Sequence, residues 1–265
     1  MKKAPIKTPD YILLEDEFKA QCLKDRNTAE FQISESEYIS VPFLSDNPDF
    51  VLIALEPGFR KVKLLIDIDF LGSLKNFLIH YCAYYYLSNE GFNYHITDIS
   101  KSAMKSSIAN KKNMRNKVYP NWYPLLQKEI NILSKTSNTK SPIIIPLGPT
   151  VRDFLSKGNI EFNTNNVVLH YGKRNDYRFR NYYNEYFNNI TINFDEIFEK
   201  LREFAEKIAN FLSFSQEQKD DLFNGGKNHK GVFDITQYST EQKEQIVFRY
   251  LYYKKMFKNI SQNNI

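Results

Sequence analysis

Residues 50–58, Phe50-Val51-Leu52-Ile53-Ala54-Leu55-Glu56-Pro57-Gly58, decide the fold. An unbroken apolar run leaves no face for water, which suits a strand covered on both sides within a parallel sheet. A carboxylate, a proline and a glycine then end it sharply, as a turn at a strand's carboxyl end does. Three further runs repeat the pattern: Tyr94 to Ile99 (YHITDI), Ile143 to Leu147 (IIIPL) and Asn166 to His170 (NVVLH). Helical patterns separate them, in SLKNFLIHYCAYYYL from Ser73, WYPLLQKEINIL from Trp122, and TVRDFL from Thr150 after Gly148-Pro149. The alternation predicts an α/β fold: a three-layer α/β/α sandwich on a central four-stranded parallel sheet. Its ligand crevice should lie beyond the carboxyl ends of the strands.

From Asn193 the pattern changes. Phe194, Ile197, Phe198, Leu201, Phe204, Ala205, Ile208 and Phe211 fall on one helical stripe, and a last helix is expected from about Thr240, capped by Ser239 or Thr240. We divide the chain into an α/β domain over 1–192 and a C-terminal helical extension over 193–265, packed on the core.

With 265 residues and 42% hydrophobic content the chain can bury one sizeable core. No stretch approaches the roughly 20 apolar residues that cross a bilayer, and the N-terminus meets acidic residues before any signal-peptide core forms. Only Cys22 and Cys82 are present, which rules out a disulfide framework and a Cys-rich metal site. A monomer in a reducing, cytoplasmic setting is expected. The net charge of +5 is modest, but its distribution is not even. Lys101, Lys105, Lys111, Lys112, Arg115 and Lys117 have no acid among them, and Lys173, Arg174, Arg178 and Arg180 form a second cluster interrupted only by Asp176.

The strand ends carry Glu56-Pro57-Gly58, Thr97-Asp98-Ile99-Ser100-Lys101, Pro146-Leu147-Gly148 and His170-Tyr171-Gly172, with LLQKEI (Leu125 to Ile130) on the helix before the third strand. In this order they resemble the motifs of the uracil-DNA glycosylase superfamily, over roughly Asp49 to Arg180, about half of the chain. The resemblance implies hydrolysis of the bond between a flipped-out base and its deoxyribose, without a metal or organic cofactor. The four cysteines that hold an iron–sulfur cluster in some branches are missing. By the same resemblance Glu56 positions the attacking water and His170 stabilises the departing base. Such roles suit the chemistry, because the breaking bond builds positive charge on the sugar and negative charge on the base. Read without the resemblance, Glu56 is an ordinary turn residue, and Asp98 caps a helix or pairs with Lys101.

Asp98 stands where uracil-excising relatives carry Asn. An ionised carboxylate only accepts hydrogen bonds, so it should favour the amino group of cytosine over O4 of uracil. Gly58, where several relatives carry a bulky Tyr, should leave room for a substituent at C5, and Phe59 could stack on the base. The expected substrate is therefore a 5-modified cytosine, hydroxymethylated or glucosylated, in bacteriophage DNA. A uracil or mismatched-thymine repair glycosylase is the alternative within the family, and a non-catalytic nucleic-acid-binding module the alternative outside enzymology. For DNA contacts we single out Lys101, Lys105, Tyr171, Lys173, Arg174 and Arg178, with Tyr171, Tyr177 or Phe179 as the wedge that fills the gap left by the flipped nucleotide.

Overall fold

A computed structural model describes residues 3–28, 31, 38–57, 65, 68–104, 108, 113–135, 141–158, 160–190, 192–226 and 229–263, with the main chain alone at Lys135 and Lys173. Strands β1 (Phe50–Ala54), β2 (Tyr94–Asp98) and β3 (Ile143–Pro146) form a parallel sheet in the order β2-β1-β3. Every residue of β1 and β2 is buried. Successive side chains of a strand point to opposite faces, so the apolar run feeds two cores.

Phe50, Leu52 and Ala54 face the first core. There they meet α2 (Leu74–Cys82), α6 (Phe194–Phe211) and α8 (Thr240–Asn263). Val51 and Ile53 face the second. It is closed by α1 (Pro9–Asn27), α3 (Met114–Lys135) and α4 (Pro149–Leu155). Helices thus cover both faces, and α6 and α8 build the same core as β1 and α2. The stripe expected on α6 is buried from Phe194 to Phe211. Two shorter helices, α5 (Asp176–Tyr186) and α7 (Gln216–Asn224), complete the main elements used below. No helix among the described residues is long and apolar enough to cross a membrane.

Capping follows the chemistry of the sequence. Ser73 accepts from the Asn76 amide at the start of α2, and Ser239 exchanges hydrogen bonds with Gln242 at the start of α8. After α2 the chain runs through a π turn, Ala83–Leu87.

The expected four-stranded parallel sheet has three strands among the described residues. The run from Asn166 to His170 begins in a 3-10 turn (Thr164–Asn166), and Val168 alone pairs, through one parallel bridge to Leu147. On the edge away from β3 the run is held by α8. The Leu169 amide donates to the Tyr252 hydroxyl (2.9 Å), and the Leu169 carbonyl accepts from Tyr253 (2.7 Å). These bonds anchor the outer edge of the run to α8, while Val168 alone faces β3.

Candidate active site

Ala54 and Asp98 are paired across β1 and β2, and the pairing extends one step further, the Ser100 amide donating to the Leu55 carbonyl (3.2 Å). Glu56 therefore leaves β1 beside Asp98. His170 reaches the same rim from beyond β3, where Gly148 (φ 103°) comes so close that a Cβ there would lie 3.2 Å from the His170 Cβ. Glu56 lies near enough to Asp98 and to His170 to act electrostatically on both.

His170 is held by its own loop. The Gly172 amide donates to Nδ1 (3.0 Å), and Asn175 donates to the His170 carbonyl (2.8 Å). A Cβ on Gly172 would sit 3.0 Å from that Nδ1, so glycine permits the approach. An Nδ1 that accepts leaves the proton of the neutral ring on Nε2, which makes Nε2–H a donor. Burial lowers the imidazole to about 4, against the opposing charge of Glu56, so the ring is neutral near pH 7.

Glu56 is braced by residues that the sequence reading did not single out for it. Arg115 grips both of its oxygens (2.9 and 2.5 Å), and Tyr119, one turn further along α3, donates to one of them. Arg115 thus belongs to the carboxylate rather than to a phosphate. Its signal was the four-residue spacing of Arg115 and Tyr119 on one helix face.

Asp98 is 1% exposed, and among the described residues neither oxygen has a hydrogen-bond donor. The group facing it is a second carboxyl, Asp69, and two carboxyls bond only when one carries a proton. Burial first, then Asp69, raise Asp98 well above the ordinary carboxylate range, against the opposing charge of Lys101. The raised value works against the premise of an ionised Asp98; in its protonated form the carboxyl can donate as well as accept.

Lys101 is corrected as a DNA contact. It is 1% exposed, and its ammonium donates to Glu129 (2.8 Å), to the Asp98 carbonyl (2.6 Å) and to Thr97. Glu129 also accepts from Thr97 (3.0 Å), His95 (3.0 Å) and Tyr11 (3.0 Å). The Thr and Lys of the second motif and the Glu of LLQKEI thus meet in one buried network beneath Asp98. Burial alone would raise Glu129, but Lys101 and His95 outweigh it and hold the carboxylate at about 2.

Tyr171 is half-buried, its ring stacked on His170 (4.3 Å between centres) and set edge-on to Phe70. It lies close enough to Asp98 and Asp69 for their charges to raise its phenol beyond the effect of burial. Phe179 is fully buried and is withdrawn as a wedge, whereas Tyr177 is 58% exposed. Arg174 and Arg178 are exposed. Gly58, Phe59 and Lys105 lie outside the described residues, as does the side chain of Lys173.

The C-terminal helix supplies support that the sequence did not reveal. Besides holding Leu169, α8 places Arg249 against Asp176 at the start of α5 and 4.9 Å from the Phe179 ring centre. The loop carrying His170 is thus fixed on both sides of the imidazole. No family model, curated protein or solved structure matches the chain.

Proposed function

We propose that the protein is a monofunctional DNA glycosylase acting on a flipped pyrimidine, with a 5-modified cytosine of bacteriophage DNA as its substrate and anti-phage defence as its role. The observation that carries this reading is the grouping of a braced carboxylate, a neutral imidazole donor and a bare carboxyl at one rim of a parallel sheet. Glu56 keeps a lone pair on Oε1 beyond those taken by Arg115 and Tyr119, and it orients water toward the anomeric carbon as positive charge builds on the sugar. The water oxygen bonds to that carbon, the bond to the base nitrogen breaks, and its electron pair leaves with the base. His170 Nε2–H stabilises the negative charge on the departing base. The water proton passes through Glu56 to the product.

Asp98 reads the base edge. As a carboxylic acid it pairs with cytosine by accepting from N4–H and donating to N3. The same acid, with its hydroxyl turned, donates to O4 and accepts from N3–H of uracil or thymine. That second state supports a uracil or mismatched-thymine glycosylase as the other reading.

Duplexes carrying cytosine, 5-hydroxymethylcytosine, its glucosylated form, uracil, or thymine opposite guanine separate these readings when alkali cleaves the abasic sites. Breaks at modified cytosine are expected, and breaks confined to uracil or thymine select the second reading. Glu56→Gln and His170→Ala should each lower base release by about 10²- to 10³-fold. Failure of wild-type protein to release any of these bases rejects catalysis on them.

A further inference from the structure

Four lysines rest their ammonium groups over aromatic rings along one stretch of surface. Lys255 of α8 lies 4.1 Å from the ring centre of Tyr186 and 5.7 Å from that of Tyr182, both on α5. Lys254 lies over Tyr250 and Tyr86 (5.7 and 5.5 Å), and Lys258 over Tyr86 (5.5 Å). Lys207 of α6 lies over Tyr84 and Tyr85 in the π turn (4.7 and 5.4 Å). The rings join these positions into a band. Tyr182 and Tyr186 are 4.6 Å apart, Tyr85 and Tyr86 6.5 Å, and the hydroxyls of Tyr86 and Tyr250 are hydrogen-bonded at 2.8 Å.

The band begins beside the candidate active site. Tyr182 and Tyr186 follow the exposed Arg178 at four-residue spacing on α5, and Tyr252 and Tyr253, which hold Leu169, immediately precede Lys254.

A carboxylate both holds a lysine and neutralises it, whereas a ring holds the ammonium and leaves its charge in place. From Gln245 to Asn263 there is no acidic residue, and among the described residues no ion pair holds Lys254, Lys255 or Lys258. Partial burial, then Lys258 and Lys200, lower Lys254, the mark of like charges gathered together. Glu185, beside Tyr186, and Glu203 and Glu206, which precede Lys207 on α6, are acids at the edges of the band. Complementing the helix dipole accounts for cations in a last turn, but Lys254 and Lys255 lie more than two turns before Asn263. A concentration of pre-positioned charge that no ion pair among the described residues neutralises fits a polyanion.

We infer that this band is a second DNA-contact surface, on which Lys254, Lys255 and Lys258 bind phosphates of the strand leading away from Glu56, Asp98 and His170. The inference rests on DNA being the partner, and it gives the C-terminal helix a role in binding. A lysine-for-glutamine triple variant of the full chain (Lys254→Gln, Lys255→Gln, Lys258→Gln) tests it by fluorescence anisotropy. The probe is a duplex of roughly 30 ordinary base pairs, titrated between about 50 and 200 mM salt. Each lost phosphate contact should flatten the plot of log affinity against log salt by about 0.9, so the triple variant should lose about 2 to 3. Each single variant should lose about one third of that, which guards against a triple variant that fails to fold.

A wild-type slope in folded variants overturns the inference, as does wild-type protein that does not bind the duplex. Anionic phosphatidylserine vesicles form the control: loss of vesicle binding with an unchanged DNA slope would assign the band to a lipid surface instead. The probe contains no modified base, so the outcome is separate from base release. A changed slope without base release leaves this inference standing and removes the glycosylase reading; base release with an unchanged slope does the reverse.

Discussion

Two carboxyl groups flank the end of β2 and are treated oppositely. Glu129 is fully buried and is surrounded by donors from Lys101, Thr97, His95 and Tyr11. Asp98, one residue from Thr97, is as deeply buried and has no donor among the described residues. The ammonium of Lys101 lies near both, yet it donates to the Glu129 carboxylate and only to the main-chain carbonyl of Asp98. A buried charge persists only when it is paired and hydrogen-bonded. The fold thus fixes one carboxylate as structure and leaves the other free of internal partners except another acid, which is the state a group needs if its partner is to be a ligand.

The strongest way to break this contrast is Glu129→Gln. It leaves the Lys101 ammonium buried without a counter-charge, and breaking such a pair costs about 3–5 kcal/mol. Urea unfolding at pH 7 measures it, and a loss below about 1 kcal/mol would remove the structural half of the comparison. Replacing both partners (Glu129→Met with Lys101→Met) should recover most of the loss, since apolar pairs of similar volume are often neutral. Arg115→Met should cost less, about 1–3 kcal/mol, because Glu56 and Arg115 reach the rim, but it should abolish most base release by leaving Glu56 without its cation.

Asp98→Asn should act in the opposite direction. A carboxyl raised by burial binds its proton more tightly in the folded than in the unfolded chain. Wild-type stability is therefore penalised progressively as pH rises above the unfolded value near 3.8 toward the folded one. The Asn variant escapes that penalty, so it should gain about 1–3 kcal/mol near neutrality and nothing near pH 3. Thermal unfolding across pH reads the difference. A gap that is flat with pH would show that Asp98 is not held as an acid. The base preference should move with it, because an amide in a fixed orientation no longer offers both donor patterns.

What the sequence disclosed, and what it hid, follow from range. Residues buried on both faces leave continuous apolar runs, so β1, β2 and β3 were legible, and Glu56 and Asp98 could be placed at strand ends, whereas His170 follows a run that pairs only through Val168. Helix α1 was not read, because exposed Ile12, Leu13 and Leu23 blur the period of buried Tyr11, Leu14, Phe18 and Cys22. Lys101 looked like surface because lysine usually is, and its buried partner Glu129 lies 28 residues away on another element. The hydroxyls that anchor the fourth run to α8 come from Tyr252 and Tyr253, more than 80 residues downstream, and no local pattern announces them.

The smallest change is the most discriminating. Thr97 lies on β2 beside Asp98, and its hydroxyl serves only the Glu129 and Lys101 side, donating to both Glu129 oxygens (3.1 and 3.0 Å) and accepting from Lys101. Thr97→Val keeps the shape of the side chain and removes one donor from a carboxylate that retains three other donor groups. The loss should be about 1 kcal/mol, with base release unchanged. Asp98→Asn, one residue along, should instead alter base release while raising stability. If Thr97→Val lowered base release as strongly as Asp98→Asn alters it, the two carboxyls would belong to one functional unit, and the division of this strand end into a structural side and a reacting side would fail.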